Sequence, residues 1–254
     1  IERIIFSLSH KYEVKCFGFQ HAPIINDQVG IFRPLASNLE PDFILTSGPY
    51  MTDKFHNLRK DAVPILTFGS PKFNLNLITA QNSSRLNNIL LVPDGNKNSV
   101  NLFYQIGNVL ANKYPLKNFV IRSHPHLNTH LDKIFRSVAS NQAQNFNLSS
   151  KPLIYDLDSS HWVIYQNSSV SIQAIFRGCE IIHIQHELAN IDPLFDMNNY
   201  HFSVKDVSDL IKIFDTGYAS SSLMGKSYKT FFAMRYFSPL NSSLLLKIES
   251  NLNL

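Results

Sequence analysis

The chain has 254 residues, of which 44% are hydrophobic and 17% are charged. This composition is typical of a globular protein with an ample core, and it excludes intrinsic disorder. The formal net charge of +4 comes from scattered lysines and arginines that form no basic and aromatic stripe, so the sequence argues against nucleic-acid binding. No stretch is long and apolar enough for a transmembrane helix.

The first residues and the two cysteines bear on cellular location. The opening segment is too short and polar for a signal peptide, and it predicts an amphipathic helix already in progress, as in a fragment of a longer protein. Cys16 and Cys179 lie far apart in apolar surroundings and are expected to be reduced core thiols. The sequence therefore predicts a cytoplasmic protein, with a mild basicity that suits peripheral contact at the inner face of the membrane.

The N-terminal third alternates short apolar runs with turns. The runs at 14–19, 43–46 and 65–68 predict strands, and the segment 50–59 predicts a helix. Residues 74–88 are rich in asparagine and serine, which makes them the best linker candidate.

Beyond the linker the alternation restarts. The predicted strands are 89–92, 119–121, 153–155, 162–165 and 181–184. The predicted helices are 100–112, 131–139 and 172–177, followed by a strand end and helix at 204–214 and two helices around Pro239 in the tail 226–254. In the helix 100–112 the side chains Leu102, Phe103, Ile106, Val109 and Leu110 are expected along one apolar side.

This pattern predicts an α/β fold with parallel sheets. A complete doubly wound unit is expected at 88–240, preceded at 1–80 by three strands of a second, partial Rossmann-like domain on the acceptor side, and followed at 241–254 by a C-terminal helix. Three strands are few for an independent sheet, so the first segment is either a domain that lacks its start or an appendage of one large domain.

The segment Gln166-Asn167-Ser168-Ser169 carries the strongest chemical signal, because it joins a buried strand to a helix. In an open parallel sheet, ligands bind where the carboxyl ends of strands enter helices. A helix that starts at Ser168 or Ser169 would offer free backbone N–H groups, a positive dipole end and hydroxyls to a phosphate. The alternative is that the serines only cap the helix.

A second polar loop, Arg122-Ser123-His124-Pro125, ends a neighbouring predicted strand. His124 can donate a hydrogen bond to a phosphate oxygen, and Pro125 fixes the loop and helps to start the next helix. A surface histidine beside a turn proline is also common. Both loops are expected on one edge of the sheet, so together they indicate a phosphate site more strongly than either loop does alone.

Together these loops resemble the C-terminal domain of GT-B glycosyltransferases that build bacterial surface polysaccharides. Most similar are the sialyltransferase-like and Kdo-transferase enzymes that use CMP-sugars, and the CDP-glycerol transferases. The resemblance implies that His124, Pro125, Ser168 and Ser169 grip the cytidine nucleotide phosphate. The loops at 18–21 and 67–72 also resemble loops of such transferases.

Three further residues complete the expected donor site. Gly95 lies in the turn after strand 89–92, and Arg122 stands beside His124. Many GT-B enzymes have a glutamate that binds a ribose where this chain has Gln173, which can still bond a hydroxyl but brings no charge.

The catalytic base must reach an acceptor hydroxyl, so it is expected from the first segment or from a loop facing it. His21 is the first candidate for the base and Asp27 the next. Gln20 and Glu187 are expected near the acceptor or the sugar. The alternative for His21 is that it is a turn residue with no catalytic role. A retaining mechanism would instead need a carboxylate nucleophile.

No metal or cofactor is expected. Asp156-Leu157-Asp158 matches the D-x-D metal pattern, but chance matches are frequent and this one lies among serines in an expected surface loop. Two groups of histidines also lie close in sequence, at 124–130 and 183–186, but no nearby cysteine or carboxylate completes a recognisable zinc set.

The sequence therefore predicts a metal-independent transferase that moves a sugar such as Kdo or a sialic acid from a CMP-sugar, which is substrate and not cofactor, to an oligosaccharide or glycolipid. The alternatives are a CDP-polyol phosphotransferase and a silent nucleotide- or sugar-binding scaffold.

Overall fold

The computed structural model describes residues 2–24, 29–59, 63–73, 85–122, 124–137, 143–185, 192–197, 201–216 and 223–249. The strands are β1 (Phe17–Gln20), β2 (Phe43–Thr46), β3 (Ile65–Thr67), β4 (Asn88–Val92), β5 (Asn118–Ile121), β6 (Phe146–Leu148), β7 (Trp162–Tyr165), β8 (Glu180–Ile184) and β9 (Phe202–Val204). The helices are α1 (Glu2–Lys11), α2 (Pro49–Leu58), α3 (Lys97–Lys113), α4 (Asn128–Ser137), α5 (Leu153–Ser159), α6 (Val170–Phe176), α7 (Val207–Asp215), α8 (Leu223–Tyr236) and α9 (Ser242–Glu249).

The chain divides into two compact units. The first comprises residues 1–24, 28–75 and 231–254, and the second comprises 25–27 and 76–230. The predicted domain limits 1–80, 88–240 and 241–254 stay a prediction, because compactness alone does not define an independently folding domain. Among the described helices, none has both the length and the hydropathy needed to cross a bilayer.

The first unit is built on a parallel sheet with the order β1-β2-β3. Its C-terminal segment packs on the carboxyl ends of β2 and β3, where Ser47 Oγ donates to the Tyr236 carbonyl at 3.0 Å. Gly69 has a φ of +94°, and a Cβ there would lie 2.1 Å from the Pro239 carbonyl oxygen. Only glycine allows both that conformation and that approach of the returning chain.

The second unit contains a sheet with the order β6-β5-β4-β7-β8-β9, in which every pairing is parallel. Residues of α3, α4 and α7 share one core with one face of the sheet, while α5 contacts β4, and α6 contacts β7 and β8, on the other face. The predicted α/β fold with helices on both faces is confirmed. Strands buried on both faces explain the continuous apolar runs that the sequence shows.

Close packing on this sheet requires a glycine inside a helix. A Cβ at Gly107 in the middle of α3 would lie 2.4 Å from Phe146 Cζ in β6. Glycine costs about 1 kcal/mol relative to alanine inside a helix, and here it lets α3 approach the ring.

Two predictions about this unit are wrong. Residues 153–155, predicted as a strand, belong to helix α5, which follows the extended Pro152. The strand at the edge of the sheet is instead β6, which the sequence analysis did not predict. A three-residue apolar run fits either element by periodicity alone. Leu102 and Val109 are 39% and 45% exposed, because the buried face of α3 runs through Val100, Phe103, Tyr104, Ile106 and Leu110.

Candidate functional site

The loops predicted to bind the donor leave one edge of the second sheet at the same level. Strand β4 pairs with β5 on one side and with β7 on the other, with Leu91 opposite Ile121 and Val92 opposite Tyr165. The strand order reverses here: α3 leaves β4 on one face of the sheet, and α6 leaves β7 on the other. Such a switch point is where open α/β sheets bind ligands.

The structure brings the loops after β4 and β5 into contact. His126 Nε2 lies 3.0 Å from the Gly95 carbonyl oxygen, and the rings of His124 and His126 are 4.3 Å apart. A Cβ at Gly95 would lie 3.3 Å from His126 Cε1, so the loops approach to van der Waals distance. His124 and Pro125 are exposed at this edge.

Arg122 has a structural partner beside the predicted site. Its Nη1 atom lies 2.8 Å from Asp156 Oδ2, and Asp156 is 6% exposed at its side chain. The same guanidinium donates to Ser149 Oγ and to the Lys151 carbonyl. Arg122 therefore fastens the loop after β6 while its side chain stays 26% exposed.

The D-x-D pattern lies on helix α5 and not on a surface loop. Asp156 pairs with Arg122, and Asp158 Oδ1 lies 2.7 Å from Arg177 Nη1. Within the described part of the chain, no group of three or more metal-ligating side chains is placed to hold an ion.

The two serines after β7 differ in what they contact. Ser168 Oγ accepts from the Val170 N–H at 3.3 Å, a long bond for a helix cap. Ser169 is the N-cap residue of α6, and its side chain makes no capping bond. Gln173 is half-buried in the first turns of α6.

The predicted acceptor-side residues fall in different environments. His21 is exposed directly after β1. Gln20 is 7% exposed, and its Oε1 accepts from Ser47 N and Oγ at 3.2 and 3.0 Å, so its amide takes part in packing. Asp27 and Glu187 lie outside the described residues, and all these roles stay predictions.

A cavity of about 1030 Å³ opens at the same edge of the second sheet. Its lining runs along α3, across the ends of β7 and β8, and onto the start of α7. It is formed by Asn96, Lys97, Asn98, Ser99, Leu102, Gln105, Ile106, Val109, Gln166, Ile184, Gln185, Lys205, Asp206 and Val207. None of the residues predicted to bind the donor belongs to this lining. The sequence signal that could have indicated it is the pair Leu102 and Val109, two apolar residues that lie exposed outside the buried face of α3.

Comparison with solved structures supports the same architecture. The chain matches the glycosyltransferase of kitacinnamycin with a TM-score of 0.62 at 12% identity, covering 96% of this chain and 72% of that one. It matches the pneumococcal O-GlcNAc transferase GtfA, in complex with UDP and GlcNAc, with a TM-score of 0.58 at 12% identity, covering 99% and 54%. The chain has a GT-B-like fold.

The same fold also occurs in an enzyme of another class. The UDP-GlcNAc 2-epimerase from Neisseria meningitidis bound to UDP-GlcNAc matches with a TM-score of 0.57 at 16% identity, covering 96% of this chain and 72% of that one. The chain spans about half the length of several of its structural neighbours, including 54% of GtfA. No protein-family model matches the sequence, and the search of curated proteins found no relative.

Beneath the carboxyl edge of this GT-B-like unit lies a buried polar network centred on Asp192, which is 2% exposed. Its carboxylate accepts from Tyr165 Oη at 2.8 Å and lies 2.6 Å from His201 Nε2. His183 Nδ1 lies 3.7 Å from it, and the buried His183 Nε2 has no partner among the described residues. The network ties the segment after β8 to the sheet.

Burial sets the protonation of this network. It lowers the pKa of His183, an effect that the Asp192 carboxylate opposes and His201 reinforces. Burial alone would raise the pKa of Asp192, but the hydrogen bond from His201 and the nearby His183 hold it below its ordinary value. Burial and Asp192 raise the pKa of Tyr165 well above its ordinary value.

We expect the free energy of unfolding to fall as the pH drops below about 6.5, the ordinary pKa of histidine. Since the folded-state pKa of His183 is lowered, the unfolded chain binds the proton first, and stability is lost from that point down to the folded pKa. The variant His183→Phe should flatten this dependence in urea titrations at pH 5 to 7, relative to His56→Phe on the exposed side of α2. If the free energy of unfolding depends on pH in the same way in both variants, His183 does not cause the loss of stability.

Proposed function

We propose that this chain is part of a glycosyltransferase that moves a sugar from a nucleotide-activated donor to a glycan or glycolipid acceptor of the bacterial surface. The position of the loops after β4, β5 and β7 at one edge of the second sheet, beside its switch point, carries this proposal. It is supported by the likeness to enzymes solved in complex with UDP and GlcNAc or with UDP-GlcNAc, which extends over nearly the whole chain.

In the proposed reaction the nucleotide phosphate lies between His124 and the turn Ser168-Ser169. Exposed His124 can donate to a phosphate oxygen, and the start of α6 adds N–H groups that carry partial positive charge. Stabilisation of the leaving phosphate by such fixed donors lowers the barrier to transfer. Arg122 adds less positive charge than its type suggests, because Asp156 already pairs with it.

The donor nucleotide is proposed to carry a pyrimidine base. The sequence resemblance implies CMP with Kdo or a sialic acid, whereas three structural neighbours were solved with UDP or UDP-GlcNAc bound. Thermal-shift titration of CMP, CDP, UDP and GDP separates these cases, because a ligand that binds only the folded state raises its stability. We further propose that the reaction needs no metal and takes place in the cytoplasm at the inner face of the membrane.

Replacing His124 by alanine should weaken binding of the preferred nucleotide by about 1–3 kcal/mol, the usual scale for a hydrogen bond to a charged group. Isothermal titration calorimetry measures this loss directly. His130→Ala is the matched control, because His130 follows on α4 and lies 3.3 Å from Asn101 Oδ1. Equal affinity of the two variants would remove His124 from the donor site.

A second candidate is epimerisation of the nucleotide-sugar itself, favoured by the likeness to the Neisseria enzyme. Product analysis distinguishes the candidates, because an epimerase changes its substrate without any acceptor. A CDP-polyol transferase would instead release CMP and form a phosphodiester. A non-catalytic scaffold would bind the nucleotide but form no product.

A further inference from the structure

The cavity of the second unit is a wedge between two helices, which we name the α3–α7 groove. The helices are held together at their C-terminal ends, where Lys113 Nζ lies 2.9 Å from Asp215 Oδ2 and Tyr114 Oη donates to Asp215 Oδ1 at 2.7 Å. Their N-terminal ends line opposite sides of the groove. Both positive dipole ends therefore border the same opening.

The polar end of the groove offers unused donors. The N–H groups of Lys97 and Asn98, at the start of the 17-residue helix α3, have no acceptor in the part of the chain that the structure describes. The exposed side chains of Lys97 and Lys205 border the same space. The carboxylate of Asp206 also lines it, but this carboxylate already accepts from Ser208 and Asp209 N–H at the start of α7. The balance of charge and dipoles favours an anion.

Gln166 gives independent support for a ligand. Its side chain is only 2% exposed, lines the groove and forms no hydrogen bond with any described residue. The amide atoms of Gln166 are not fully enclosed, so they face the groove, where a ligand can form the hydrogen bonds that the described residues do not supply. Here the amide can meet the polar head of a molecule that enters the groove.

Apart from Gln105 and Gln185, the remaining wall of the groove is apolar. Leu102, Ile106 and Val109 follow one another down α3, and Ile184 and Val207 lie opposite. The seven steps from Leu102 to Val109 rise roughly 10 Å along the helix. Leu102 and Val109 are 39% and 45% exposed, while Ile106 between them is buried. Exposed apolar side chains beside a cavity are the pattern expected of a binding groove and not of a solvated helix face.

We propose that the α3–α7 groove binds an alkyl or prenyl phosphate. Its anionic head lies at the start of α3 among Lys97, Lys205 and the Gln166 amide, and its hydrocarbon chain lies along Leu102, Ile106 and Val109. The lining of the groove includes neither Ser168 nor Ser169, and the inference stands apart from the proposed transfer reaction because it concerns binding alone.

Calorimetry and thermal unfolding of the full chain with octyl phosphate test the proposal. Val109→Trp fills the groove and should weaken binding at least about tenfold, while Leu116→Trp places the same side chain at an 88% exposed position beyond α3 and should leave binding unchanged. Octyl glucoside, inorganic phosphate and UMP should each bind the groove at least about tenfold more weakly than octyl phosphate. Equal affinity of V109W and L116W, or of the charged and uncharged amphiphiles, would overturn the proposal.

Two more variants keep the test decisive if V109W folds poorly. Lys97→Glu, at an exposed position, should weaken octyl phosphate binding and leave the Tm of the free protein unchanged. Gln166→Met should weaken it too without lowering the Tm, because methionine is similar in size and no side-chain hydrogen bond to a described residue is lost. Undiminished binding by both variants would overturn the proposal. His124→Ala should not affect octyl phosphate, so failure at the donor site and failure at the groove are distinguishable.

Discussion

Replacing Asp192 by alanine is expected to lower the free energy of unfolding of the second unit by about 3–5 kcal/mol, the scale for breaking a buried charged pair by removal of one partner. The carboxylate accepts from Tyr165 Oη and Leu194 N–H and pairs with His201. Without it these donors remain buried and unpaired. The loss should be among the largest of any single polar substitution in this unit.

The partner His201 makes the loss of the carboxylate more costly. Its Nδ1 lies 3.1 Å from the Met197 carbonyl oxygen, and its Nε2 lies 2.6 Å from Asp192. Both neighbours are acceptors, and a neutral imidazole has only one N–H to donate. The ring therefore bridges two acceptors, and removal of the carboxylate leaves the buried Nε2 without its partner.

Trp162 makes the measurement specific. It is the single tryptophan of the chain, it is 7% exposed in β7, and its fluorescence in urea reports on the second unit. Asp192→Asn keeps one acceptor oxygen and should lose less than Asp192→Ala, and Asp209→Ala on α7 should change the midpoint little. A small effect of Asp192→Ala would show that water or the surrounding chain replaces the carboxylate.

The pH dependence of the Asp192→Asn variant provides a second test. Because the folded-state pKa of Asp192 lies below 3.8, its contribution is complete above that pH and disappears as the pH falls through the folded value. The difference between wild type and Asp192→Asn should therefore shrink only in strongly acidic solution. A difference that shrinks near pH 6 would point to the histidines instead.

Strands β2 and β7 lie at the residues predicted from sequence, because four-residue apolar runs between turn signals fit few other elements. The edge strand β6 has only three residues, with Asn147 between two apolar ones, and it forms because β5 offers a partner. Such a strand depends on its neighbour more than on its own composition. Local sequence therefore could not reveal it.

The same contrast holds for the candidate site. That the loops with His124 and Ser168 lie on one edge follows from parallel strand direction, which apolar periodicity predicts. The α3–α7 groove depends on the divergence of two helices that are far apart in sequence. The unpaired state of Gln166 is likewise a property of packing, and the sequence alone shows only a glutamine after a strand.

His21→Asn is expected to lower the turnover of sugar transfer by roughly a hundredfold or more, within the usual range for loss of a general base. The proposed reaction needs a base that removes the proton of the acceptor hydroxyl while the nucleotide leaves. A histidine suits this task because it exchanges protons near neutral pH. His21 is exposed at the carboxyl end of β1, so a substrate can reach its ring, whereas the neighbouring Gln20 is committed to Ser47.

The measurement compares His21→Asn with His56→Asn, which alters another exposed histidine of the first unit. With the donor found by the nucleotide screen, kcat should fall in His21→Asn alone, while the dissociation constant of the nucleotide stays the same in both variants. Loss of transition-state stabilisation without loss of ground-state binding is the pattern that identifies a base. If His21→Asn turns over like wild type, the histidine is a turn residue without a catalytic role, and Asp27 becomes the next residue to replace. If nucleotide binding falls as well, His21 supports the donor site and is not the base.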